Sequence, residues 1–337
     1  MTRQPLIYVA ILTLLCCGWI VSSRPAVSSG STVYIALGDS IAAGIGSSLP
    51  RERGYSALIR DLISRESGRI VTLENLATPG ETVTSFRDDG QLSRFHDLVD
   101  RLNRGNTPIS AITVSLGGND MLHVSGRGST DRQAALDGFT SAYPAVLSDI
   151  RSAVGNDIPI IVTNSYDLSS GDSSIVESDA WWIARFNDVI AAGAAASSAR
   201  VADVSSEFAG HISDYTLAPW DVHPTNAGHQ AIAAAVWRAL AIDTIAPVVT
   251  VTPTLISARR MPTLRFTAND NTGIDDIEIL SSGGTIHGPF QTSTDTWVAL
   301  VDLGDVTGIV TVTIKASDLA GNTVSRDVTI TPPAGTP

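Results

Sequence analysis

Lysine is nearly missing from this chain. Of its 22 basic residues only Lys315 is a lysine, against 34 acidic residues, and the net charge is −12. That balance leaves no basic stripe to follow a phosphate backbone and no pull towards anionic lipid, so a nucleic-acid partner is excluded. Cysteine is as scarce. The two copies, Cys16 and Cys17, sit side by side near the N-terminus, which leaves no disulfide framework and no thiolate metal site for the rest of the chain. Also absent are a paired-histidine cluster, an EF-hand spacing and a glycine loop leading to lysine, so neither a metal nor an organic cofactor is expected. What remains is 337 residues with 43% hydrophobic and 17% charged content. This is the composition of a folded protein long enough for one large domain and a small one.

One apolar run stands apart. Arg3 precedes a nearly all-apolar stretch over 6–21, followed by the small residues of Val21-Ser22-Ser23 and Ala26-Val27-Ser28. The run is slightly longer than the ~7–15 residues of a signal core and slightly short of the ~17–25 that span a bilayer. Residues 1–30 are therefore read as a secretory signal peptide, the alternative being an anchor to the outer face of the membrane through 6–21. Leu14-Leu15 before Cys16 makes a poor lipoprotein box. Cleavage would leave a mature chain without cysteine, and a chain of this length builds its core without disulfides.

From residue 31 to 243 short apolar runs alternate with amphipathic ones. Strands are predicted over 33–37, 70–75, 109–116, 158–164 and 201–204. Helical spacing is predicted over 55–67, 92–102, 131–154, 181–196 and 225–240. Near-continuous apolar strands between helices predict a parallel sheet covered on both faces, with all strand carboxyl ends on one edge. Ligands bind outside that edge.

Three strand ends carry glycine and a polar side chain: Gly38-Asp39-Ser40, the Thr78-Pro79-Gly80-Glu81 turn, and Gly117-Gly118-Asn119-Asp120. Each alone reads as a cap or a β-to-α turn. Together they offer a hydroxyl and two donors for an oxyanion, the Gly80 amide and the Asn119 side chain. A base is available at His223, held between Trp220-Asp221-Val222 and Pro224-Thr225 at the start of the last helix. His229 and His96 are read as helix-surface residues.

These blocks, in this order, resemble the SGNH hydrolases, also called the GDSL esterase/lipase family, over about residues 32–242. The resemblance implies a flavodoxin-like three-layer α/β/α sandwich. It implies Ser40 as nucleophile, an oxyanion hole of the Ser40 and Gly80 amides with the Asn119 side chain, and His223 as base. The chain departs from the pattern in one place. Where the family has an acid three residues before the histidine, Trp220 stands, and Asp221 lies two before. On extended backbone those offsets face opposite sides, so the orienting group is left open between the Asp221 carboxylate and the Trp220 carbonyl.

After residue 243 the helical spacing stops. Strands are predicted over 248–251, 263–267, 277–280, 297–301, 309–316 and 323–330, with turns at Asn271-Thr272-Gly273, Ser282-Gly283-Gly284 and Asp318-Leu319-Ala320-Gly321-Asn322. This texture over 244–332 resembles a bacterial immunoglobulin-like β-sandwich. Such modules serve as spacers or as cell-wall or carbohydrate contacts. Asp270, Asn271, Asp275 and Asp276 are read as solvated turn residues. The expected activity is a serine esterase or lipase acting on acyl esters of lipids, lysophospholipids or short-chain acids. The alternatives are a carbohydrate O-acetylesterase and a catalytically inactive binding or adhesion protein. Substrate preference is expected to reside in the segments 125–132 and 167–182.

Overall fold

The computed structural model describes residues 30–252 and 260–333. Residues 1–29 of the segment read as a signal peptide or anchor, both cysteines among them, lie outside the described residues. Five strands, β1 (Thr32–Gly38), β2 (Val71–Asn75), β3 (Ile109–Ser115), β4 (Ile160–Thr163) and β5 (Arg200–Ala202), form one parallel sheet in the order β2-β1-β3-β4-β5. This is the flavodoxin-like order, with its switch point between β1 and β3.

Around the sheet lie α1 (Pro50–Arg53), α2 (Tyr55–Ser67), α3 (Val83–Asp88), α4 (Gln91–Arg104) and α5 (Gly118–Leu122). They are followed by α6 (Ser129–Val154), α7 (Asp179–Ala196), α8 (Val204–Phe208), α9 (Ile212–Tyr215) and α10 (Asn226–Leu240). The two-residue alternation of β1 divides the helices between two layers. Val33, Ile35 and Leu37 pack with α3, α4, α6 and α7. Tyr34 and Ala36 pack with α2, α8 and α10. Tyr34 can be buried in that layer because its hydroxyl is hydrogen-bonded to the Oγ1 of Thr113 at 2.7 Å. Among the described residues no helix is long and apolar enough to cross a membrane.

The remaining strands are β6 (Val248–Thr252), β7 (Thr263–Asn269), β8 (Ile274–Ser281), β9 (Thr285–Ser293), β10 (Thr296–Asp302), β11 (Val310–Asp318) and β12 (Thr323–Ile330). They form two antiparallel sheets, β6-β7-β10-β9 and β12-β11-β8, which share a core that includes Phe266, Ala299, Val312 and Ile314. Four strands against three is the layer arrangement expected of an immunoglobulin-like sandwich. The sequence pattern misses β9, and the reason is physical. Its Gly288-Pro289 interrupts the run, and proline is tolerated in a sheet only at an edge, where β9 sits. The Asp318–Asn322 signal is a turn that also ties the sandwich back. Asp318 Oδ1 accepts the amides of Ala320 and Asn322, while Asn322 Nδ2 donates to the Ile245 carbonyl at 3.2 Å. Leu319 and Ala320 pack on the α2/α10 core.

Candidate active site

Ser40 follows β1 directly, and the backbone there is set by Gly38. Its φ is +123°, and a Cβ would stand 2.0 Å from the Ser115 carbonyl of β3, so only glycine lets the two strands close at this point. Asp39 is turned inward. Its Oδ1 accepts the Ile41 amide at 3.0 Å and faces Ser115 Oγ at 3.3 Å. Burial pushes its carboxyl up to about 6. Gly80, at φ +84°, makes the left-handed turn after β2 that leaves its surroundings open. Asn119 lies in the first turn of α5, after β3, and one of its amide hydrogens is held by the Glu81 carbonyl at 2.9 Å. Asp120, next to it, accepts the Val83 amide at 3.1 Å, and burial pushes its carboxyl up to about 6.

His223 comes from the opposite side of the chain. The loop before α10 is pinned by three bonds: Leu217 N to the His223 carbonyl at 2.9 Å, Tyr166 Oη to the Val222 carbonyl at 2.6 Å, and Thr225 N to the Tyr215 carbonyl at 2.9 Å. Thr225 then caps α10 by accepting the Gly228 amide. In this setting His223 Nε2 lies 2.8 Å from Ser40 Oγ, and Nδ1 lies 2.5 Å from Asp221 Oδ1.

The offset of two does not turn Asp221 away. Its Oδ1 also accepts the His223 backbone N–H at 3.2 Å. This side-chain-to-backbone turn folds the chain between the two residues, so the alternation of extended backbone no longer applies. The group at Nδ1 of the imidazole is thus the Asp221 carboxylate.

A second histidine corrects another expectation. His229 is fully buried, not on the surface of α10. Its Nδ1 accepts the Tyr55 amide at 3.2 Å, the first N–H of α2, and its Nε2 faces the Ile45 carbonyl at 3.0 Å. Burial lowers its pKa. It clamps the loop after β1 against α10. His96, by contrast, is on the surface, 3.3 Å from Asp149.

Beside Ser40 and His223 opens a cavity of about 450 Å³ that Gly80 and Asn119 also line. Its remaining wall is mainly apolar: Met121, Leu122, Leu168, Trp182, Ile183 and Phe186. Both loop segments singled out in the sequence contribute to it. Arg132 from one pairs with Asp179 at the start of α7 at 2.7 Å, and both residues line the cavity. Trp181 and Trp182 meet edge to face at the start of α7, and Trp182 is buried.

Comparison with known proteins places this arrangement. The model of the GDSL-like Lipase/Acylhydrolase family matches residues 36–231, more than half of the 337-residue chain, and the chain belongs to that family of ester-hydrolysing enzymes. Among solved structures it is similar to an α/β hydrolase enzyme from the metagenome of Lake Arreo, Spain, at 20% identity and a TM-score of 0.45, covering 63% of this chain and 95% of that one. An acetylxylan esterase from Geobacillus stearothermophilus matches at 18% identity and a TM-score of 0.47, over 64% and 96%. A member of the lipolytic protein G-D-S-L family from Veillonella parvula matches at 21% and 0.40, over 61% and 96%. No curated protein matches the chain.

Proposed function

We propose that the protein is an exported serine esterase that cleaves carboxylic esters with an aliphatic acyl chain, through an acyl-enzyme on Ser40. The observation that carries this reading is the apolar cavity of about 450 Å³ opening beside Ser40 and His223. An acetyl group would leave most of it unfilled, whereas each buried methylene of a longer chain contributes about 0.8 kcal/mol.

Ser40 Oγ attacks the ester carbonyl carbon while His223 Nε2 takes its proton. Asp221 holds the imidazole and stabilises the imidazolium that forms. The carbonyl oxygen, now carrying the negative charge, is met by the Ser40 and Gly80 amides and the Asn119 side chain. Collapse of the adduct breaks the bond to the alcohol, which leaves with the proton returned from His223. Water then repeats the sequence on the acyl-enzyme and releases the carboxylic acid and free Ser40.

Turnover of p-nitrophenyl esters from acetate to decanoate, set against acetate release from acetylated xylan, tests the substrate class. A rise in kcat/KM from acetate to chains of six to ten carbons supports the acyl reading. Preference for acetate together with release from xylan would replace it with a carbohydrate O-acetylesterase. Export rests on residues 1–30 and is tested by N-terminal sequencing of the protein recovered outside the cell. The β-sandwich is assigned a spacer or attachment role, for which binding to purified cell wall is the measurement.

A further inference from the structure

Behind the catalytic edge lies a set of buried polar side chains, Gln91 and Glu81 among them, that do not line the cavity. Gln91 opens α4 and is fully buried. An amide left there without partners would cost about 1–3 kcal/mol. Its partners are Gly38, 53 residues away in the chain, and Glu81, ten residues away. Oε1 accepts the Gly38 amide at 2.7 Å, and Nε2 donates to the Gly38 carbonyl at 2.9 Å and to Glu81 Oε2 at 2.5 Å. Glu81 is buried as well. Its other carboxyl oxygen accepts the Ser85 hydroxyl, and its backbone carbonyl accepts Asn119 Nδ2 at 2.9 Å.

Apart from the Ser85 hydroxyl, which belongs to the capping box of α3, each end of this network adjoins a group of the oxyanion hole read above. Gly38 stands two residues before Ser40. Glu81 directly follows Gly80. The Asn119 amide is held by the Glu81 carbonyl. Three donors delivered by three different strand ends therefore share one buried anchor. A bond that merely fastened α4 to the sheet would need only one of these contacts. We infer that Gln91 and Glu81 are positioning residues that fix the oxyanion donors of Ser40, Gly80 and Asn119 relative to one another. The inference rests on the oxyanion hole read above. Misplacement of such donors by about 1 Å costs on the order of 100-fold in rate. The charge they meet develops only in the transition state, so the loss falls on kcat and leaves KM in place.

The test is the kcat and KM of full-length Gln91→Met, Gln91→Glu and the exchanged pair Gln91→Glu/Glu81→Gln on a p-nitrophenyl ester. Thermal melts, affinity for an alkyl boronic acid that mimics the tetrahedral adduct, and Asn119→Ala are measured alongside. Gln91→Met removes the hydrogen bonds at similar volume and is expected to lower kcat about 10–100-fold with KM within threefold. Boronate affinity is expected to fall in parallel. The exchanged pair restores an amide-to-carboxyl bond in the reverse sense and is expected to recover at least fivefold over Gln91→Glu. A folded Gln91→Met with kcat within twofold of wild type, or with its loss confined to KM, overturns the inference. So does loss of folding in both Gln91 variants, which would make the group a folding element only. Full turnover by Asn119→Ala would instead refute the oxyanion hole itself, a separate failure.

Discussion

His223 Nε2 and Ser40 Oγ lie 2.8 Å apart although 183 residues separate them in the chain. Ser40 is fixed by the end of the central strand, His223 by the loop entering α10. The two supports are joined in turn, because His229 of α10 holds the Ile45 carbonyl of the loop that follows Ser40. The same arrangement sets the consequences of changing the groups around it.

Asn119→Ala removes one of the proposed oxyanion donors and, with it, a single hydrogen bond to the Glu81 carbonyl. Turnover of a p-nitrophenyl ester is expected to fall about 100–1,000-fold, equivalent to ~2.7–4 kcal/mol of barrier, with KM little changed. The melting temperature should stay within a few degrees of wild type.

Asp221→Asn tests the orienting group. With Nδ1 of His223 2.5 Å from the Asp221 carboxylate, the amide would favour the wrong tautomer, and kcat is expected to drop at least several hundredfold. Near-wild-type turnover would mean that the carboxylate is dispensable and that a carbonyl or water does its work.

Ile183→Trp places bulk in the apolar wall of the cavity from α7. A methylene in such a pocket is worth about 1–3 kcal/mol, so kcat/KM for the decanoate ester is expected to fall at least tenfold relative to the acetate ester. Equal effects on both would show that the acyl chain lies elsewhere.

His229→Ala strands the buried Tyr55 amide and removes the partner of the Ile45 carbonyl. The unpaired groups and the cavity together are expected to cost about 2–4 kcal/mol of stability, read by urea denaturation.

Asp39 gives stability a pH dependence of unusual sign. Its folded carboxyl is pushed up to about 6 from an ordinary value of 3.8, so the folded state binds this proton more tightly than the unfolded chain. Its contribution therefore declines as pH rises from about 4 to about 6, by at most ~3 kcal/mol. Stability of Asp39→Asn measured across that range is expected to lack this decline. A wild-type and variant pair with parallel pH profiles would contradict it.

The parallel sheet was legible because its central strands β1, β3 and β4 are largely apolar and its helices are spaced at 3.6 residues, as Leu58, Ile59, Leu62 and Ile63 of α2 show. Edge strand β9 was not, because its Gly-Pro and polar content lack the signal of a strand packed on both sides. The site blocks were legible as chemistry at strand ends. His229 was misread because a histidine among alanines carries no mark of burial; its partners, Tyr55 and Ile45, are more than 170 residues away. Asp221 defied the alternation rule through its own hydrogen bond to the His223 amide. Gln91 and Glu81 look like ordinary polar residues of helix starts, since their significance depends on partners in other elements.

The central claim is that Ser40 is a nucleophile activated by His223. Intact-mass and peptide analysis of the protein treated with a fluorophosphonate measures this most directly. The account predicts one adduct, carried by the peptide containing Ser40, absent in Ser40→Ala and formed at least 100-fold more slowly in His223→Ala. An adduct formed at wild-type rate in Ser40→Ala, or no adduct on the native protein, would contradict it.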